Sequence, residues 1–150
     1  MSWPSFTIVT DAIKVALQND ADLKAFCLTE WQRAQKVEKA FKKREEILQT
    51  DLPVILFTVP AQKTGYAAGR LLHRKYVIRC YAGFQQHDRV KAHDEIIRFE
   101  EFIEQALLKD ATLNDLGILI TPGDSANDEG FYHPTYFLAK DFEVLVEREF

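Results

Sequence analysis

The last third of the chain limits its fold more than any other part. A charged segment, His87–Asp110, carries Ala92, Ile96, Phe99, Ile103, Ala106 and Leu107 on one stripe at helical spacing. A turn-rich stretch follows. Then, in Phe142-Glu143-Val144-Leu145-Val146-Glu147, apolar Phe142, Val144 and Val146 alternate with Glu143, Leu145 and Glu147. The first pattern is helical and the second has the two-residue period of a strand. Each element has an apolar side that must be covered, so the two belong to one helix-on-sheet core.

The rest of the chain extends this reading. Thr7–Asn19 reads as a helix, with Val9, Ala12, Ile13, Ala16 and Leu17 on one stripe and Ser5 or Thr7 as its cap. Asp20–Phe26 reads as a further short helical turn. Leu28–Thr50 is open to two readings. Thr29-Glu30-Trp31-Gln32 matches a capping box and argues for a helix, whereas an extended strand from Gln32 to Phe41 fits the same residues. Pro53–Val59 is a strand with two apolar faces, opened by Pro53 and ended by Pro60. Ala61–Leu72, with Gly65 and Gly69, reads as a loop with a mobile tip. Leu72–Ala82 is a strand with Tyr76, Ile78, Cys80 and Ala82 on one face, closed by Gly83. Asp94 and Arg98 are spaced to pair on the long helix. Ile118-Leu119-Ile120 is a short strand, Pro122–Gly130 a loop by composition, and Pro134–Arg148 the last strand.

These elements make one α+β domain over residues 1–150. Its order is α-β-β-β-α-β-β, a mostly antiparallel sheet of four to five strands with two main helices on one face. The length suits a single core, and apolar residues at 47% exclude a disordered chain.

Charge and cysteine content narrow the function. The net charge is −4, and the compact basic run Lys39, Lys42, Lys43 and Arg44 is flanked by Glu38, Glu45 and Glu46. That neutralisation argues against nucleic acid as a partner. Cys27 and Cys80 lack CxxC spacing and read as buried free thiols. Met1-Ser2-Trp3-Pro4-Ser5 lacks a basic region followed by an apolar core, and the longest apolar run is too short to span a bilayer, so no membrane is expected and cytoplasmic synthesis fits.

No pattern that carries chemistry is complete. His87-Asp88 and His93-Asp94 look like a doubled motif, but six residues along a helix leave the two histidines about 120° apart, unable to share a metal. His73 and His133 sit beside strand ends. They become a ligand-binding or enzymatic site only if they converge with acidic neighbours in one pocket. Ser125 has no Gly-x-Ser-x-Gly elbow. The acidic loop Asp124, Asp128, Glu129 lacks calcium-loop spacing. Gly65-Tyr66-Ala67-Ala68-Gly69-Arg70 lacks the ending of a phosphate loop and leads into a strand, which leaves a flexible hairpin arm. Its Tyr66 and Arg70 are residue types enriched at interfaces. Glu100, Glu101 and Glu104 give the long helix an acidic back. It could meet Lys39, Lys42 and Lys43 of a neighbouring copy in a head-to-tail contact, which closes into a ring if the rotation allows.

Four stretches together resemble the tail-terminator (tail-completion) proteins of long-tailed phages and prophages. They are the opening helix; Lys36–Arg44 followed by Asp51-Leu52-Pro53-Val54-Ile55-Leu56-Phe57-Thr58-Val59-Pro60; the strand–helix pair Tyr76–Leu108; and the closing Phe142–Glu147. In that family the segment matching Val37–Phe41 is extended, which favours the strand reading here. The resemblance implies a homo-oligomeric ring, by family expectation a hexamer, that caps the tail tube, ends its polymerisation and joins it to the head. It implies the tail-tube protein and a head–tail connector as partners. It implies no catalytic residue, cofactor or metal. The protein is expected in the host cytoplasm during assembly and then in a virion tail or tail-like particle. Lys63, Tyr66, Arg70, Lys42, Lys43, Glu100 and Glu104 are the expected subunit or tube contacts. A head–tail connector or neck protein, and a small ligand-binding or enzymatic domain, are the alternatives.

Overall fold

The computed structural model describes residues 5–66, 71–113 and 118–149. Three helices, α1 (Thr7–Asn19), α2 (Ala21–Trp31) and α3 (Arg89–Leu108), accompany five strands. The strands are β1 (Lys36–Lys39), β2 (Val54–Tyr66), β3 (Leu71–Gln85), β4 (Ile118–Asn127) and β5 (Thr135–Glu149). They form one sheet in the order β1-β2-β3-β5-β4. The fold is α+β.

Strand register decides which side chains meet the helices. Ile55 stands opposite Ala82, and Ala82 opposite Leu138; Ile78 faces Phe142, and Tyr76 faces Val144, which faces Ile120. These residues share one sheet face. They form one buried cluster with Val9, Ile13 and Leu17 of α1, Leu23 and Phe26 of α2, and Phe99, Ile103 and Leu107 of α3. The alternation read at Phe142, Val144 and Val146 is borne out: all three are buried in that cluster. So is the stripe of α1, whose buried residues are Val9, Ile13 and Leu17.

Aromatic rings fill the middle of the core. Trp31 stacks on Phe84 at 4.6 Å between ring centroids and meets Phe99 edge-on at 5.0 Å. Phe26 lies 5.2 Å from Trp31 and 4.8 Å from Phe102. At the far end Phe6 stacks on Tyr76 at 3.6 Å and pins the start of α1 to β3.

The opposite face of β2 is apolar as well, as expected. Val54 and Leu56 pack there with Leu52 and Ile47 in a second, smaller cluster. Two 3-10 turns, Arg44–Glu46 and Gln49–Asp51, bring that cover across the sheet. Gly83 stands opposite Val54 and Phe137 on this face, and a Cβ there would lie 2.8 Å from the Phe137 ring. Gly83→Ala is therefore expected to displace a buried ring and cost about 1–3 kcal/mol, read as a lower urea midpoint at unchanged slope.

Several expectations need correction. The Thr29–Gln32 capping pattern starts no helix. Asp20 caps α2 by accepting from the Leu23 amide at 2.8 Å, and Thr29 lies in the last turn of that helix. Gln32 ends α2 in the left-handed region with φ 58°, returning its N–H to the Leu28 carbonyl. The extended reading beyond it is right in kind but too long, since only Lys36–Lys39 is strand. That strand pairs parallel with β2, not antiparallel, because the chain crosses back through residues 40–53 before β2 begins.

Pro60 does not end β2, and Ala61–Tyr66 is strand rather than loop. The ladder with β3 shifts register between Thr58 and Ala61. Pairing with β1 stops at Phe57, so Pro60 occupies an edge where its missing donor costs no ladder bond. β3 likewise runs past Gly83 to Gln85. Strand β4 continues through Pro122 to Asn127 for the same reason: it is an edge strand, with a bulge between Pro122 and Ser125. Asp94 and Arg98 do not pair. Arg98 turns to Glu30 at 3.5 Å and lies over the Phe26 ring, while Asp94 takes His93 Nδ1 at 3.0 Å.

Candidate interaction surface

The described residues expected at an interface fall on three separate parts of the fold: the far end of β2, the segment after β1, and α3. Lys63 is exposed on β2, directly opposite Lys75, so two like charges stand side by side on the same face. Tyr66 closes β2, its backbone paired with Leu72. Arg70 and Gly69 lie outside the described residues. The arm is no isolated hairpin, because β5 runs alongside β3 as far as Leu71 opposite Glu149.

The basic run follows β1. Lys42 pairs with Glu38 at 3.1 Å, and Lys36 reaches the same carboxylate at 3.2 Å. Lys42 first, then Lys36, hold the Glu38 carboxyl below its ordinary range. Lys39 forms an ion pair with Asp11 of α1. Lys43 is exposed on extended backbone. Most of this positive charge is thus used inside the molecule.

Between these lysines stands Phe41, a residue the sequence placed in the extended segment without assigning it a role. It is 88% exposed. Beside it lies a shallow cavity of about 260 Å³ lined by Thr10, Ala40, Phe57 and Val59. Exposing a whole phenyl ring forgoes about 1.5–3 kcal/mol of burial.

Glu100 and Glu104 do not form the open acidic face expected of them. Both point at Lys140, each with a carboxylate oxygen 3.6 Å from its Nζ. Lys140 is only 5% exposed, on the helix-facing side of β5, and donates to the Gly123 carbonyl in the β4 bulge at 3.0 Å. A signal for it exists in the sequence. Lys140 shares the inward alternation of Leu138, Phe142 and Val144, where an ammonium needs counter-charges.

This cluster lies at the junction of α3 and β4. Toward the start of α3 the same junction opens into a cavity of about 440 Å³. Ala92, Ile96 and Tyr136 make its apolar floor, and Arg89, His93 and Glu129 stand at its margin. Ile96, Glu100 and Glu104 follow one another at four-residue spacing, so cavity and carboxylates share one side of the helix.

His73 and His133 do not converge. His73 stands opposite Glu147 near the start of β3, whereas His133 precedes β5, which begins opposite Gln85 at the other end of the same ladder. His133 Nδ1 shares a 2.6 Å hydrogen bond with the Tyr136 hydroxyl. Burial, then Arg89 and His87, lower its pKa.

A buried carboxylate was missed altogether. Glu95 is 4% exposed beneath a cavity of about 390 Å³ lined in part by Glu30, Trp31, Gln86 and His87. Its two oxygens accept from Trp31 Nε1 and Gln86 Nε2, both at 2.9 Å. Burial raises its pKa against the lowering effect of those bonds. In sequence Glu95 looks like one more surface charge on a charged helix.

Both cysteines are free and buried, as expected, and burial pushes each thiol up to about 12. Among the described residues no group of three or more His, Cys, Asp or Glu is placed to hold a metal. No helix of the described residues is long and apolar enough to cross a membrane. No family model matches the chain, and no match to a curated protein reaches significance.

Proposed function

We propose that this protein assembles phage or prophage tails, as a tail terminator: copies form a ring on the end of the tail tube, stop its growth and present a surface to the head. The observation that carries this reading is the uncovered edge of β2. Strand β1 pairs with Val54–Phe57 alone, so among the described residues no strand lies beside the outer side of β2 from Thr58 to Tyr66. An uncovered strand edge invites a further chain to pair with it. Pro60 and Lys63 restrict which chains can do so.

In this reading Lys63, Tyr66 and Arg70 meet a neighbouring subunit or the tube. The separation of His73 from His133, at opposite ends of the β3–β5 ladder, fits a protein that works through shape and edges. The tail-tube protein and a head–tail connector are its partners, first in the host cytoplasm and then in the finished tail or tail-like particle.

Sedimentation over a concentration series, with and without the cognate tail-tube protein, tests the proposal. The expected result is a closed ring, or a ring that forms on the tube end and halts further tube growth. A protein that stays monomeric in both arms and leaves tube length unchanged would overturn it.

A further inference from the structure

We infer that Phe41 of one copy docks in the α3–β4 groove of the next, with Lys43 reaching Glu100 and Glu104. This rests on the ring reading above for its biological purpose, but the contact itself is argued from knob, groove and charge.

The knob and the groove lie at opposite edges of the sheet. Phe41 follows β1, one edge strand, and the groove runs beside β4, the other. A contact between two different edges is heterologous, and repetition builds a ring or a filament. The ring is 88% exposed in its own chain, whereas Ala92, Ile96 and Tyr136 offer an apolar floor in a space of about 440 Å³.

Spacing agrees on both sides. From Phe41 to Lys43 an extended chain advances about 7 Å and returns to the same side. Lys43 has φ −77° and ψ 156°, which is extended. From Ile96 to Glu100 the helix advances about 6 Å. A phenyl ring over Ile96 thus brings Lys43 to the carboxylates.

Charge agrees as well. Two carboxylates, Glu100 and Glu104, face one ammonium, Lys140, so this cluster next to the cavity keeps one net negative charge. In the approaching segment Lys42 pairs with Glu38 and Arg44 lies over the Tyr132 and Phe137 rings, which leaves the exposed Lys43 as the cation that reaches across. Arg89 and His93 at the mouth work against it, and they lie at the end of the groove that receives the neutral ring.

Two surface variants and their mixture test the inference. Phe41→Ser removes the knob. His93→Trp closes the groove mouth from an exposed helical position. Far-ultraviolet circular dichroism checks that both keep the parent fold. In sedimentation each variant alone is expected to self-associate only at about 10- to 100-fold higher concentration than the parent. Mixed at a concentration where each alone is monomeric, they should give a dimer and nothing larger. In that dimer the open groove of Phe41→Ser holds the intact Phe41 of His93→Trp, and both remaining ends are blocked.

A parent protein that stays monomeric throughout the series would overturn the inference, even if it caps tubes, in which case the tail-terminator reading survives without it. A parent that forms rings while Phe41→Ser forms them equally well would overturn it too. So would a mixture that shows no dimer.

Discussion

Phe99→Ala is expected to cost about 3–5 kcal/mol and so to remove a large share of the stability of a domain this size. Phe99 is fully buried on α3. Its ring lies 5.0 Å from Trp31, 6.2 Å from Phe26 and 6.1 Å from Phe84. These belong to the end of α2, its middle and the end of β3. One deletion therefore loosens three elements at once, and stiff aromatic neighbours cannot collapse into the space. Urea denaturation read by tryptophan fluorescence checks it. A loss below about 1.5 kcal/mol would show that the aromatic cluster is not the centre of the core.

The second large effect is at Glu95. Glu95→Leu removes the acceptor for both the Trp31 indole and the Gln86 amide. Two donors left without partners, one of them in the core, should cost about 2–4 kcal/mol. Glu95→Gln keeps an acceptor for Trp31 and removes the buried charge, and Gln86 can turn its amide to match. Its expected cost at neutral pH is under about 1 kcal/mol.

The pH dependence separates charge from hydrogen bonding. The folded protein holds the Glu95 proton more tightly than the unfolded chain, whose glutamate has the ordinary value of 4.5. At pH below 4.5 the carboxyl is neutral in both states and burial carries no charge penalty. As pH rises above 4.5 toward the raised folded value, the unfolded state loses its proton first and the parent loses stability. Above the folded value the penalty is constant. Glu95→Gln should lack this fall, so the difference between the two proteins should grow in its favour across that window. Parallel curves through the window would mean that the Glu95 pKa is not raised.

Local pattern was enough for α1, α3 and the inward alternation of β5, because each repeats its own period over many residues. It was also enough for the two apolar faces of β2. Strand ends were read too short at Pro60, Gly83 and Pro122. Proline and glycine break a strand only where a ladder bond or a packed side chain is needed there, and edge position removes the first need. Which strand lies at an edge is a property of the whole sheet.

The charged residues divide the same way. Sequence placed Glu100 and Glu104 on one side of a helix, but their partner Lys140 lies on a strand more than thirty residues away. It likewise recorded Glu95 as one charge among several on α3, although the fold turns that carboxylate toward Trp31 and Gln86.

By itself the sequence determined an α+β fold, the two main helices and the inward faces of its strands, because hydrophobic period is a local quantity. Only the tertiary structure decided that β1 runs parallel to β2, that the edge strands continue through their prolines, and that Phe41 stands bare while Glu95 is enclosed. Burial and strand order depend on contacts between residues far apart in the chain, and no local pattern contains them.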